Sequence, residues 1–296
     1  MGITRSLVSR HALGRSNAFD AALLDIAQDH LLFLLDQAGL FDGERLTFKG
    51  GTSLRKCPLG NDGRFSTDLD FGAPDDDVVL EVCDVIQDSS VGGFSYRLDT
   101  SRGNGRHWKL TATHDELGPP NIAASVEFAR RPLALPPERL GFVPLPIHKN
   151  YGFELPTLPV VAEAEACAEK LARYRRVALG RDLYDLNHFA SRPIDEALVR
   201  RLWVIKVWGD VVGDRRGHKP LDPEDVLKMR TEREFEPDSI GVLIRPVDVV
   251  AWENRVRSRF QFLRALDPDE QRWANCDERH QHEITAVLDE LRRSQL

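Results

Sequence analysis

Two acids on one predicted strand constrain the fold of this chain more than any other feature. Asp68 and Asp70 are separated by Leu69 and followed by Phe71. Because side chains alternate along a strand, both carboxylates point to one face while Leu69 and Phe71 point into a core. Two carboxylates this close repel each other unless a cation lies between them, and Mg²⁺ prefers such oxygen ligands. The pair therefore indicates either a magnesium site or a solvated surface strand.

A glycine turn precedes the acid pair along the chain. Gly50, Gly51, Thr52 and Ser53 follow a short predicted strand at 46–48. Glycine lets the backbone approach a ligand closely, helix-opening amides meet phosphate, and the two hydroxyl residues add donors. A turn that holds phosphate, followed by acids that hold its metal, is the arrangement that nucleotidyl transfer requires. On its own, Gly-Gly is equally compatible with an ordinary strand-to-helix turn.

The remaining patterns of the first half predict an α+β sheet domain. A helix with apolar residues at helical spacing is expected over 18–37, ending at Gly39, and a helical turn over 52–57 is expected to stop at Pro58. Asp75, Asp76 and Asp77 suit the first turn of a helix that runs to about residue 88. Further strands are predicted over 94–98, 106–113 and 121–128, the first two joined by a hairpin turn at 103–105.

A proline-rich connector separates this half from a helical remainder. We place the boundary at residue 150, so that 1–150 is an α+β domain and 151–296 a mainly helical one. Helices are predicted over 161–179, 183–190, 194–209, 223–231, 246–262 and 268–293.

Composition narrows the classes of protein that remain. The net charge is −7, so any contact with nucleic acid must be made by a local basic patch. No apolar stretch approaches the ~20 residues of a membrane span, and the N-terminus has no signal-peptide pattern, so a cytoplasmic protein is expected. The four cysteines are isolated and His280 and His282 do not share a helix face, which predicts neither disulfides nor a zinc site.

Four segments, in order, resemble the AbiEii/AbiGii family of nucleotidyltransferase toxins. The first two, Lys49–Lys56 and Arg64–Phe71, contain the glycine turn and the acid pair. The other two, Glu169–Arg176 and Arg181–Leu186, resemble the family's third and fourth motifs. The resemblance implies a polymerase-β-like nucleotidyltransferase domain, with a mixed sheet and flanking helices, followed by a helical C-terminal domain.

The same resemblance implies a function. A member would be the toxin of a toxin–antitoxin system, with NTP as substrate, Mg²⁺ as cofactor and a cognate antitoxin as partner. Members of the mycobacterial MenT branch add nucleotides, notably cytidines, to the 3′ acceptor end of tRNA and so block aminoacylation. We therefore expect a cytoplasmic monomer that transfers NMP, from CTP among the candidates, to tRNA.

Individual residues take roles from the resemblance. Lys170 would meet the triphosphate and Asp185 would orient Lys170 or the substrate, both contributed by the helical domain. Lys56 and Ser66 would join the glycine turn in binding the nucleotide, whereas Arg64 is expected to brace its loop. Glu127, on a predicted strand, is a third acid that acts either as metal ligand and base or as an outward-facing residue.

The basic segment raises one open question, the role of Asp182, and one expectation, an RNA-binding patch. Asp182 is either a helix N-cap or an active-site residue, since it lies just before an apolar stripe. The basic side chains around it are expected to form the local RNA-binding patch that an acidic protein needs. They are Lys170, Arg173, Arg175, Arg176 and Arg181.

Two other functions share these features. A nucleotide could be transferred onto protein, as in an AMPylator-like enzyme on the same fold. Alternatively, the chain could be a non-catalytic, nucleotide-binding module that contacts an antitoxin. The acid pair argues against the module, because simple binding has no need of a metal-bridging pair of carboxylates.

Overall fold

The computed structural model describes residues 2–99, 105–235, 242–243 and 247–294. It divides into two compact units. The first comprises residues 1–132, 137–161 and 242–245, and the second comprises 133–136, 162–241 and 246–296. The first unit extends past the predicted boundary at residue 150 because residues 157–160 form a strand of its sheet.

A mixed sheet forms the first unit. Its strands in the described residues are β1 Thr47–Lys49, β2 Asp68–Gly72, β3 Ser90–Val91, β4 Phe94–Asp99, β5 His107–His114, β6 Ala124–Ala129, β7 Glu138–Gly141 and β8 Thr157–Val160. They lie in the order β3-β4-β5-β6-β2-β1-β8-β7. The β2–β6 and β1–β8 pairs are parallel, and the other neighbours are antiparallel. Asp68 and Asp70 therefore lie on a central strand.

Helices accompany the sheet in the first unit: α1 Arg5–His11, α2 Phe19–Gln37, α3 Gly50–Leu54 and α4 Asp76–Ile86. The long α2 ends where Gly39 adopts a φ of 73°, as its sequence predicts. Asp75 caps α4 by accepting a hydrogen bond from the Asp77 amide at 2.9 Å. The predicted α+β architecture, a mixed sheet with flanking helices, is confirmed.

One face of the sheet is packed and the other carries the acids. Leu69 and Phe71 are fully buried, as alternation along β2 predicts. The packed face contacts α2, since the Tyr96 hydroxyl on β4 donates to the Ala27 carbonyl at 2.7 Å. Asp68 and Asp70 lie on the opposite face, and both are half-buried.

Local boundaries near the glycine turn differ from the prediction. Helix α3 begins at Gly50 rather than Thr52. Pro58 does not end a helix but lies inside a single wide turn, Arg55–Leu59, that continues from α3. Pro58 has no amide hydrogen, so it donates no backbone hydrogen bond within this turn. Residues 103 and 104 of the predicted hairpin turn lie outside the described residues, although β4 and β5 do pair antiparallel.

The second unit is helical. Its helices are α5 Glu163–Arg176, α6 Gly180–Ala190, α7 Glu196–Trp208, α8 Glu224–Leu227, α9 Val249–Arg259, α10 Pro268–Trp273 and α11 Gln281–Ser294. Trp203, Leu202 and Phe189 are fully buried in its core. Residues 134 and 135 join this unit because their amides donate to the buried Glu165 carboxylate at about 2.9 Å.

Two predicted helices of the second unit are shorter than expected. The sequence predicts one helix over 268–293, but Cys276 has a φ of 52°, which an α-helix does not accommodate, and the chain forms α10 and α11 instead. The predicted helix over 223–231 ends at Leu227, since Lys228 has extended backbone. Across the described ranges, no helix combines the length and apolar character needed to cross a membrane.

Candidate active site

Three carboxylates share one face of two neighbouring strands. In the parallel β2–β6 pair, Asp68 lies opposite Ser125 and Asp70 lies opposite Glu127. Adjacent strands are about 4.8 Å apart, so Glu127 lies one strand spacing from Asp70. The sheet register therefore brings Glu127, which is distant in sequence, to the face of Asp68 and Asp70, and we call this face the acid surface.

Hydroxyl and imidazole groups orient these acids. The Ser125 hydroxyl donates to Asp68 Oδ1 at 2.9 Å and lies 3.3 Å from Glu127 Oε1. A hydroxyl has one proton, so it can serve only one of the two carboxylates at a time. The Thr67 hydroxyl approaches the same Asp68 oxygen at 3.2 Å. On β5, His107 Nδ1 lies 3.1 Å from Glu127 Oε1.

The glycine turn lies directly against the acid pair. Gly50 has a φ of 80°, and a Cβ at this position would come within 1.9 Å of Asp70 Oδ2. A Cβ on Gly51 would meet Arg64 Nη2 at 2.2 Å and Ser66 Oγ at 3.1 Å. At Gly50 the left-handed φ and the Asp70 Cβ at 2.8 Å exclude a larger residue, whereas a side chain at Gly51 would displace the Arg64 guanidinium. The structure places Ser66 and Arg64 together with the glycines.

The hydroxyls of the turn have structural partners. The Thr52 hydroxyl donates to the Asp68 carbonyl at 2.5 Å, and the Ser53 hydroxyl donates to the Gly50 carbonyl at 2.9 Å. Both residues are fully buried. The expectation that these hydroxyls face phosphate is therefore corrected: they tie α3 to β2 and close the turn on itself.

The sequence predicts that Lys56 binds the triphosphate, and the structure contradicts this. Its ammonium lies 2.7 Å from Asp25 Oδ1 and 2.7 Å from Asp29 Oδ1, and it donates to the Asp25 carbonyl at 2.6 Å. All three side chains are buried. Lys56 donates to the carbonyl and Oδ1 of Asp25 and is ion-paired with Asp29, so it anchors the segment that follows the glycine turn to α2.

The ionic cluster around Lys56 holds its acids charged. Burial by itself raises the pKa of Asp25, but the charges of Lys56 and Arg55 outweigh it, and the pKa lies well below its ordinary value. Arg55 also donates to the carbonyls of Gly60 and Gly63 at 2.6 and 3.0 Å. The cluster therefore shapes the loop between the glycine turn and the acid strand.

In the second unit, Lys170 contacts two acids. Its ammonium lies 2.6 Å from Asp185 Oδ2 and 3.4 Å from Asp182 Oδ1, and Arg173 Nε lies 3.2 Å from Asp182 Oδ2. Asp182 and Asp185 are buried. Helix α6 begins at Gly180 with Leu179 as its N-cap, so the capping alternative for Asp182 is wrong. The third and fourth motif segments thus meet at a buried ion-pair cluster.

The predicted RNA-binding patch does not form as expected. Arg175 is buried, where it donates to the carbonyls of His218 and Pro220 at 2.6 and 3.1 Å and pairs with Asp225. Arg176 pairs with Asp210 at 3.2 Å. Helical spacing could not reveal this, because their partners lie on other elements of the second unit.

Several site residues were not predicted from sequence. Ser125 and His107 show no local signal, since only the strand register brings them to the acids. Asp25 and Asp29 did carry one: they are acids four residues apart on the same side of a helix that is otherwise apolar there. That pattern indicates a buried charged partner.

The acid surface is suited to a hard divalent cation. No group of three or more His, Cys, Asp or Glu side chains within the described ranges is arranged to hold a metal ion as it stands. Mg²⁺, however, is usually held by one or two carboxylates together with substrate phosphates and water. Asp68 and Asp70 supply such a pair of oxygen ligands, so these two residues fit the ion, and Lys49 lies opposite Asp70 in the β1–β2 register.

Comparison with known proteins decides the family. The family model described as nucleotidyl transferase AbiEii toxin, type IV toxin–antitoxin system, matches residues 34–278. The chain belongs to this family. It is therefore a nucleotidyltransferase and the toxin of a toxin–antitoxin system, as its four motif segments predict, and the family model adds that the system is type IV.

One solved structure supports this assignment. MenT4, a nucleotidyltransferase toxin from Mycobacterium tuberculosis H37Rv, is 71% identical, with a TM-score of 0.96 over 98% of this chain and 100% of that one. JHP933 from Helicobacter pylori is 15% identical over 92% of this chain and 98% of that one, with a TM-score of 0.45, and is too distant to carry an argument. No curated protein sequence matches.

Proposed function

We propose that this AbiEii-family toxin is a Mg²⁺-dependent enzyme that transfers NMP from an NTP to the 3′ end of tRNA. The observation that carries the proposal is the shared face of Asp68, Asp70 and Glu127 beside Gly50. The tRNA acceptor and the preference for CTP come from the resemblance to the MenT branch. Transfer to the acceptor end would block aminoacylation and thereby translation in the cytoplasm.

Each residue of the acid surface has a part in this reaction. Asp68 and Asp70 would hold Mg²⁺, which when bound would neutralise charge on the triphosphate. Glu127 accepts the proton of the attacking 3′-hydroxyl. A bond forms between that oxygen and the α-phosphorus while the bond to pyrophosphate breaks. Ser125 and Thr67 keep the Asp68 carboxylate oriented throughout.

The glycine turn contributes backbone instead of side chains. Since the Thr52 and Ser53 hydroxyls are engaged within the turn, recognition of phosphate falls to peptide groups near Gly50 and Gly51. Ser66, which packs against Gly51, is a further contact for the nucleotide. Lys170 and Asp185 keep their predicted roles, as triphosphate ligand and orienting acid, within this proposal.

The test is to find where the label from each NTP goes. The full-length protein is incubated with Mg²⁺, a cell lysate and each of the four α-labelled NTPs, and the RNA and protein fractions are then separated. We expect label in tRNA, greatest with CTP, and loss of aminoacylation of the labelled tRNA. Asp70→Asn should abolish labelling, whereas Asp84→Asn, an exposed acid of α4, should not.

The outcomes separate the candidate functions. Label in protein would overturn the tRNA proposal in favour of an AMPylator-like activity. Label in RNA that persists in Asp70→Asn would show that the acid surface is not the site of transfer. If UTP or a purine nucleotide labels tRNA more strongly than CTP does, CTP is not the preferred donor. The assignment of tRNA as the acceptor would be unaffected.

A further inference from the structure

The face that carries the acids continues beyond them across two more strands. In the β5–β6 register, His107 lies opposite Glu127 and Lys109 opposite Ser125. In the β4–β5 register, Asp99 lies opposite Lys109, Arg97 opposite Thr111 and Ser95 opposite Thr113. Paired residues point to the same side of a sheet. All of these side chains therefore share the face of Asp68 and Asp70.

This extension, the polar face, consists of Ser95, Arg97, Asp99, Lys109, Thr111 and Thr113. Arg97, Lys109 and Ser95 are exposed, and the Arg97 side chain is 61% exposed. Arg97 and Asp99 form an ion pair at 3.4 Å, which is weak at such exposure. The polar face therefore offers two cations and three hydroxyls against one carboxylate.

The other side of the same strands is closed. Phe94, Tyr96 and Leu98 alternate with the polar residues of β4 and are buried. The His30 ring of α2 lies 5.0 Å from the Phe94 ring, and the Tyr96 hydroxyl reaches the α2 backbone. Only one side of these strands is thus open to a partner.

The chemistry of the polar face indicates which partner it fits. Of the described residues, the exposed large apolar side chains are Leu13, Leu80, Val177, Met229, Val247 and Val250, and none is on β4, β5 or β6. A protein partner would need an apolar, desolvated centre, which this surface lacks. Exposed cations with Ser and Thr hydroxyls are instead the groups that contact a phosphodiester backbone.

We propose that the polar face binds the single-stranded 3′ end of the acceptor RNA. The inference rests on the proposed function, because the terminal hydroxyl must reach Glu127 and Asp70. The strand then runs from β2 over β6 and β5 to β4, with Lys109 and Arg97 on its phosphates. Three strand spacings cover about 14 Å, enough for roughly two to four nucleotides.

The test compares two double charge reversals in the full-length protein. Arg97→Glu/Lys109→Glu alters the polar face, whereas Arg45→Glu/Lys149→Glu alters exposed cations of the same unit that are not on these strands. Both lower the net charge equally. Binding of a short single-stranded RNA with a 5′ fluorophore is measured by anisotropy without NTP, and tRNA labelling is measured separately.

We expect the polar-face variant to bind the RNA about tenfold or more weakly than the control variant. Its log–log salt slope should be shallower by about 1.4, which is two contacts at roughly 0.7 each. Binding of a fluorescent NTP analogue should be unchanged. Arg97→Gln/Lys109→Gln, which removes the charges without reversing them, should give an intermediate loss of RNA affinity. This variant controls for misfolding caused by charge reversal.

Failure of this inference differs from failure of the proposed function. If wild-type protein labels tRNA and the polar-face variant matches the control variant in RNA affinity and salt slope, the surface assignment is overturned and the reaction stands. If wild-type protein labels protein instead of tRNA, the proposed function fails, and with it this inference.

Discussion

At the level of single residues, Gly50 is irreplaceable because the Asp70 carboxylate lies where a Cβ would be. Many glycines of this chain have positive φ, but few face a reacting side chain. At Gly50 the missing Cβ leaves room for the Asp70 carboxylate. Gly118 has a similar φ of 74°, but among the described residues no atom other than those of Gly118 and its two chain neighbours lies within 4 Å of the place its Cβ would take. Alanine variants at the two positions therefore distinguish the effect of backbone strain from the effect of displacing the Asp70 carboxylate.

Gly50→Ala should abolish transfer, because the added methyl group must push Asp70 aside. Displacement of a reacting group by about 1 Å typically costs about a hundredfold in rate. Gly118→Ala shares the cost of a left-handed alanine, about 1–2 kcal/mol, and should transfer NMP normally. Rates at saturating NTP, together with urea unfolding curves, provide the comparison. Equal activity of the two variants would show that the Gly50–Asp70 contact is unimportant.

Lys170 can be tested against a second buried lysine of the same unit. Lys206 pairs with Glu165 and, at 2.9 Å, with Glu169. Burial lowers the pKa of Lys206, but the two glutamates outweigh it and raise the pKa above its ordinary value. Both lysines are thus buried and ion-paired, yet only Lys170 lies in the motif segments expected to meet the triphosphate.

We predict that Lys170→Ala raises the KM for NTP strongly and that Lys170→Arg restores it only in part, because a planar guanidinium differs from a compact ammonium. Lys206→Ala should lower thermal stability, since it removes the cation beside the buried Glu165 carboxylate, but should keep the KM for NTP. Steady-state kinetics are measured below the unfolding transition of both variants. A normal KM in Lys170→Ala would make this lysine a purely structural residue.

At the level of secondary-structure elements, α2 anchors the glycine turn. Asp25 and Asp29 lie one helical turn apart on α2, and both contact Lys56 of the turn that follows α3. The Gln28 amide of α2 also donates to the carbonyls of Ser66 and Thr67 at 3.1 Å. One helix therefore positions both the glycine turn and the loop that enters the acid strand.

Lys56→Met should destabilise the first unit by about 3–5 kcal/mol, because it removes the cation that the buried Asp25 and Asp29 share and leaves Arg55 beside Asp25 alone. The combined variant Lys56→Met/Asp25→Asn should recover part of the loss, since one of the two carboxylates that lost the ammonium is then neutral. Urea unfolding of the single and double variants gives the coupling energy. If the Lys56→Met protein has normal stability but cannot bind NTP, Lys56 is a nucleotide-binding residue after all.

The same cluster predicts how stability depends on pH. Ion pairs hold the folded pKa values of Asp25 and Asp29 below their ordinary values, although burial acts in the opposite direction. Their contribution is therefore fully present above the unfolded pKa of about 3.9 and is lost as pH falls through the lowered folded values. Asp25→Asn should flatten the stability profile below about pH 4. An unchanged acid slope would contradict the charged state assigned to Asp25.

For the molecule as a whole, net charge limits how RNA is bound. A chain with a net charge of −7 cannot attract a phosphate backbone uniformly. The polar face offers two cations, and Arg175, which the sequence suggested as a contact, is used inside the second unit. Few phosphate contacts should therefore form.

The salt dependence of tRNA binding measures the number of phosphate contacts. Four contacts or fewer on single-stranded RNA should give a log–log slope no steeper than about −3, at roughly −0.7 per contact. Anisotropy titrations at several salt concentrations, with Mg²⁺ held constant, provide the slope. A value near −7 would indicate about ten contacts and a much larger RNA-binding surface than the polar face.

Local sequence patterns were sufficient for the features that depend on near neighbours. Alternation placed Asp68 and Asp70 on one face and Leu69 and Phe71 in the core, and helical periodicity located α2, α5 and α7 to within a few residues. The order of the four motif segments identified the family and hence the α+β fold. These signals are local because strand and helix geometry repeat every two to four residues.

Only the tertiary contacts show which charged side chains are exposed and which are buried in ion pairs. Lys56 and Arg175 look like ligands in sequence, but partners from other elements bury them. Ser125 and His107 look ordinary, but the sheet register sets them beside Asp68 and Glu127. The physical reason is that the state of a charged side chain depends on burial and pairing across long sequence separations, which no local pattern encodes.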